Sequence, residues 1–92
     1  MSALSLPAVL TMSEARATLA LLEPALQSGT ETVIDASALQ ALDTAAIAVL
    51  LQCERVAAAA GRKLKIEGMP PKLAELARLY GVEALLGVAP AA

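Results

Sequence analysis

A chain of 92 residues has material for one hydrophobic core and little beyond it, so a single domain over 1–92 is expected and a deep catalytic cleft is not. Hydrophobic residues make up 58% of the chain, yet with one Tyr and no Phe or Trp the interior must be filled by Leu, Val, Ile and Ala. Seven Lys and Arg against nine Asp and Glu leave a net charge of −2, which offers no general attraction to nucleic acid or anionic lipid.

Ala3 to Leu10 is apolar but carries Pro7, which suits a short strand at a sheet margin. Thr11-Met12-Ser13-Glu14 supplies a hydroxyl and an early acid, the makings of a helix start. Ala15, Leu19, Leu22 and Leu26 then recur at helical spacing as far as Gly29. Pro24 lacks a backbone donor and is expected to kink this helix or end it near Leu22. Thr32-Val33-Ile34-Asp35 reads as a buried strand closed by an acid. Residues 36–42 read as a connection anchored by Leu39 and Leu42.

A long helix follows from about Ala45 to Ala60, with Gly61 where a left-handed cap is wanted. Leu64-Lys65-Ile66-Glu67 alternates as a strand with one wet face. Pro70-Pro71 opens a last helix, whose stripe of Leu73, Leu76, Ala77 and Tyr80 runs to Gly81. Val82, Leu85 and Leu86 are expected to fold back onto the core, and the final Ala-Pro-Ala-Ala to fray. The order is strand, helix, three times over: an α/β layer fold in which right-handed crossovers make the central strands parallel.

The chemistry this sequence supports is narrow. With no His there is no ready general base and no Cys/His ligand set, so no metal and no cofactor are expected. Cys53 lies on the helix face with Val49, Leu50, Val56, Ala57 and Ala60, the place of a core residue and not of a nucleophile. The glycines are isolated and form no phosphate loop. An enzyme is not expected. Arg62, Lys63 and Lys65 cluster without an aromatic residue to stack on bases, so they read as a solvated edge and nucleic acid is not an expected partner. A single cysteine suits a reducing cytoplasm. The first basic residue is Arg16, so no signal n-region is expected, and the apolar runs are too short to insert in a membrane. A cytoplasmic protein is expected, free to sit at the inner membrane through a partner.

Polar residues concentrate at one junction. Asp35 ends a strand and Asp43-Thr44 opens the long helix, so all three are expected at the carboxyl edge of the sheet, where open α/β folds place ligands. Simple helix capping by Asp43 or Thr44 accounts for the pair as well. On the long helix, Ile47, Leu51 and Ala58 form a second apolar strip beside the face that meets the sheet. That strip is either covered by another helix or the C-terminal segment, or free as a docking surface beside Thr44.

Three stretches together resemble the core of a STAS domain, the module shared by sulfate transporters and anti-sigma factor antagonists: Val33-Ile34-Asp35, then Leu42-Asp43-Thr44-Ala45-Ala46-Ile47-Ala48-Val49-Leu50-Leu51, then Ala60-Gly61-Arg62-Lys63-Leu64. The likeness covers 11–86. It departs at Ala45-Ala46, where family members often place Gly after the hydroxyl residue, and in the short segment before Thr11. The resemblance implies a small STAS-type fold, a sheet of about four strands packed against helices, and a non-catalytic module that binds an ATP-using protein. It makes Thr44 the phosphoacceptor or partner contact, with Asp35, Asp43, Ala45, Ile47, Ala48 and Leu51 around it. Two branches of the family fit. In one, similar to MlaB, the module is an accessory subunit on the ATPase of a bacterial phospholipid ABC transporter, and residues 76–82 look more like this branch. In the other it is an anti-sigma factor antagonist, or a chemotaxis-linked signalling protein, switched when a serine/threonine kinase phosphorylates Thr44. Self-association stays open.

Overall fold

The structure is a computed structural model that describes residues 4–28 and 33–87. Gly29, Thr32 and the Ala-Pro-Ala-Ala end lie outside the described residues. The elements are β1 (Leu4–Ser5), β2 (Val9–Leu10), α1 (Met12–Ser28), β3 (Val33–Asp35), β4 (Ala41–Leu42), α2 (Thr44–Ala59), β5 (Lys65–Glu67) and α3 (Pro71–Leu79). Every described strand pairing is parallel. The α/β class therefore holds, with about five short strands in two sheets, ordered β1-β3-β5 and β2-β4, in place of one sheet of about four.

Pro7 explains the difference. Lacking a backbone donor, it breaks the first strand, but the chain runs on in the same direction and pairs a second time. Leu6 N–H donates to the Asp35 carbonyl at 2.9 Å just before the break, and the Gln40 and Ala41 N–H groups donate to the Ala8 carbonyl just after it. β4 is the partner recruited by this second step. It lies inside the segment read as a plain connection, because two residues are too few to show a period.

Leu and Ile fill the interior, as the lack of large aromatics requires. Leu6, Leu10, Leu26, Ile34, Leu50, Leu73 and Leu86 are fully buried. α1 packs along α2, with Ala15 and Leu19 beside Ala48 and Val49. Part-way along the pair, Gln52 Nε2 donates to Glu23 Oε2 at 3.4 Å.

α1 continues past Pro24 to Ser28, so of the kink or end expected near Leu22 the end does not occur. The carbonyl that loses its helical donor belongs to Ala20, and Ala20 and Pro24 are both exposed, so water can serve it. The buried Leu22 and Leu26 hold the opposite face of the helix to the core on either side of the proline. α2 ends as expected: Gly61 is left-handed at φ 76°, with its N–H donating to the Ala58 carbonyl and that of Arg62 to the Ala57 carbonyl.

The C-terminal segment folds back by one anchor. Leu86 is buried, Val82 is half-buried and Leu85 faces solvent. Tyr80, the cap residue after α3, also leaves the expected apolar stripe and is 53% exposed. Among the described residues no helix is long and apolar enough to cross a membrane.

Candidate functional site

The site grows from Asp43. β4 delivers it to the start of α2 with an extended backbone, φ −137° and ψ −165°, the conformation of an N-cap. Its Oδ1 accepts the Ala45 N–H at 2.8 Å. Its Oδ2 accepts the N–H of Met12 at 3.2 Å, 31 residues earlier in the chain and the first residue of α1. One carboxylate thus serves two helix N-termini, brought side by side by the parallel β2–β4 pair.

The start of α1 is further closed by Glu14, whose Oε1 accepts the Thr11 N–H at 2.9 Å and the Thr11 hydroxyl. Those bonds, the hydroxyl first and the backbone second, hold the Glu14 carboxyl below its ordinary pKa, against a smaller opposing push from desolvation and the nearby Asp43. Of the two capping candidates in the sequence, Asp43 is the cap. Thr44 stands next to it as the first residue of α2, exposed, with no part in the capping bond.

Beyond Thr44 lies a shallow groove of about 340 Å³, walled by Thr44, Ile47, Ala48 and Leu51 of α2 and by Tyr80 and Val82 after α3. Ala48 is exposed and Leu51 half-buried, whereas Ala45 and Ile47 are each 5% exposed and belong to the packed interior. The second apolar strip is therefore largely covered at Ile47, which forms the floor of the groove, with Tyr80 and Val82 of the C-terminal segment as the far wall. Leu51 also lines a second groove further along α2 with Glu54, Arg55, Ala58 and Leu85. Burial there raises the Glu54 carboxyl above its ordinary pKa, with Lys63 opposing.

Asp35 stands apart. Its Oδ1 accepts the Ser37 N–H at 2.9 Å. Hydrogen bonding from the Ser37 side chain first, and from this backbone N–H second, lowers its pKa from the ordinary value. The register sets Asp35 opposite Ser5 and Glu67, while Asp43 follows the Leu10–Leu42 pair. The single edge expected for Asp35, Asp43 and Thr44 is thus two levels, because the second pairing step beyond Pro7 carries Asp43 further along the ribbon. The structure joins Asp43, Thr44, Ala48, Leu51 and the floor residue Ile47, and leaves Asp35 outside.

Tyr80, Val82 and Met12 are the site residues that sequence reasoning did not single out. Tyr80 and Val82 were absorbed into apolar patterns, and nothing local links Met12 to an acid so far down the chain. Cys53 is fully buried, and burial, reinforced by Glu23 and Glu54, pushes its thiol up to about 12, which removes it as a nucleophile. Among the described residues no cluster of His, Cys, Asp or Glu could hold a metal ion.

Parallel strands linked through helices, with an exposed hydroxyl where the central helix begins, describe a STAS domain, and STAS domains are protein-interaction modules, generally without catalysis of their own. The family model described as "Mlab, STAS domain" matches residues 1–87, so the chain belongs to that family. No curated protein matches it.

Proposed function

We propose that this protein is a cytoplasmic accessory subunit of a bacterial Mla-type phospholipid ABC transporter, and that it binds the transporter's ATPase through Thr44 and the first turns of α2. The observation that carries this reading is the exposed Thr44, excused from capping by Asp43, at the mouth of an apolar groove with Ala48 and Leu51 on one side and Tyr80 on the other. Thr44 makes the polar contact. Ala48, being small and exposed, lets a partner backbone come close, and the half-exposed Tyr80 and Leu51 supply the apolar anchors. Ala45 and Ile47 act from beneath, as packing that keeps the turn rigid.

Thr44→Glu tests the reading, because it puts a charge into the contact without touching the core. Calorimetric titration with the ATPase should show affinity lowered by about tenfold or more, the scale of a desolvated charge left unpaired. Thermal unfolding should be unchanged. An unaltered affinity sinks the proposal.

A second reading rests on the same exposed hydroxyl. Phosphorylation of Thr44 would bring about two negative charges beside Asp43 and Glu14, enough to turn off a docking face. A phosphate-sized mass increase at Thr44 after incubation with a cognate serine/threonine kinase, together with no affinity for the ATPase, would favour an anti-sigma or signalling role.

A further inference from the structure

We propose that Asp43 is a positioning residue: by holding the first turns of α1 and α2 together, its carboxylate sets the orientation in which Thr44 meets the partner. This inference rests on the docking role proposed for Thr44.

An ordinary N-cap needs one acceptor oxygen, which Ser, Thr or Asn supplies as well as Asp. At this position both oxygens are used. Oδ1 closes the cap on Ala45, 2.8 Å away, and Oδ2 takes the Met12 N–H at 3.2 Å. The second bond is what a carboxylate offers and an amide does not, since Asn would present an NH2 donor to the Met12 donor. Nor does any other side-chain hydrogen bond tie the two helix starts among the described residues; Glu23 and Gln52 join the helices further along. Thr44 follows Asp43 directly, so its backbone lies inside the turn that the cap closes between Asp43 and Ala45. A shift of the α1 start against the α2 start therefore acts on the residue bonded to Thr44, while Ala48, which lies against Ala15 and Leu19, follows the packing of the helices further along.

The bridge can be cut from either side without removing the α2 cap. Asp43→Asn keeps an oxygen for Ala45 and loses the acceptor for Met12. Met12→Pro removes the donor instead, at the first helical position where proline is well accommodated, and leaves Asp43 intact. Met12→Ala keeps the N–H and controls for the exposed side chain.

Binding is measured by calorimetry with the purified ATPase of the Mla-type transporter from the same cell, at a temperature where every variant is folded. Asp43→Asn and Met12→Pro should each weaken binding about tenfold, the scale of one hydrogen bond to a charged group, and the double variant should add little, because both cut the same bond. Met12→Ala should bind as the wild type does. In the free protein, the Thr44 amide resonance should move in Met12→Pro and stay in place in Met12→Ala.

A bond that serves stability alone would lower the melting temperature of both bridge variants and leave affinity unchanged. If Met12→Pro binds normally while Thr44→Glu does not, the positioning role is overturned and the docking role stands. If Thr44→Glu also binds normally, the docking role itself falls, and an unmoved Thr44 amide in Met12→Pro overturns the positioning on its own.

Discussion

β3 closes on Asp35 and β4 leads into Asp43, and in each case the carboxylate accepts the backbone N–H two residues further on: Ser37 at 2.9 Å and Ala45 at 2.8 Å. The local bond is the same, but its surroundings differ. After Ser37 the chain makes a short turn, with Leu39 N–H donating to the Ala36 carbonyl, and goes on into β4. After Ala45 it runs for the length of a 16-residue helix. Gly68 packs against the Asp35 turn and closes it from the β5 side, whereas the free oxygen of Asp43 reaches across to a second helix. An acid with the same local bond is a closed turn in one place and an open junction in the other. What lies against it from elsewhere in the chain decides which.

The sharpest way to break the sealed turn is Gly68→Ala. Gly68 has φ 68°, and a Cβ there would lie 2.9 Å from the Ser37 Cβ, 3.1 Å from the Ser37 nitrogen and 3.2 Å from Asp35 Oδ1. The left-handed backbone alone costs an alanine about 1 kcal/mol or more, and the collision adds to it, so a loss of roughly 2–3 kcal/mol is expected in urea unfolding. A loss below that of an ordinary surface substitution would mean that the turn is not sealed.

Asp43→Ala comes next, at about 1–2 kcal/mol, because it uncaps α2 and strips α1 of a partner at once. Asp35→Ala should lower the melting temperature less, since it opens exposed bonding to Ser37 alone and uncaps no helix. Acid should reveal the difference in kind. The folded pKa of Asp35 lies below its ordinary 3.8, so its contribution is complete above 3.8 and is lost as pH falls through the lower, folded value. Asp35→Asn should flatten that part of the acid limb, and an unchanged limb would contradict the bond to Ser37.

The comparison also marks how far the sequence could be read. Helices with long apolar repeats, and caps such as Gly61, are local events, and α2 and α3 stand within a residue or two of where the pattern placed them. Pro24 does not end α1 because a missing donor matters according to which side of the helix it falls on, and that side is set by packing. β4 escaped notice because a two-residue strand has no period, and with it went the second step that separates Asp35 from Asp43. Asp43 and Thr44 were visible as a pair. The bond to Met12 was not, since it depends on a parallel pairing that only the folded chain brings about. Tyr80 and Val82 carried the signature of core residues, but Tyr80 is exposed and Val82 only half-buried, and together they form the groove wall.

The smallest expected effect on stability separates the two neighbours within the junction itself. If Thr44 were the cap, Thr44→Ala would cost about 1 kcal/mol. Asp43 holds that role, and Thr44 is an exposed residue at the first position of α2. Alanine there keeps the backbone N–H and has the higher helix propensity, so the two changes nearly cancel and the folding free energy should stay within about 0.5 kcal/mol of the wild type. Under the proposed docking role, affinity for the ATPase should nevertheless fall, because the hydroxyl that capping leaves free would be lost. A large stability loss would return Thr44 to the capping role, and a small one with full affinity would show that the groove, and not the hydroxyl, makes the contact. Only the combination of intact folding and weakened binding fits a junction in which Asp43 holds the structure and Thr44 meets the partner.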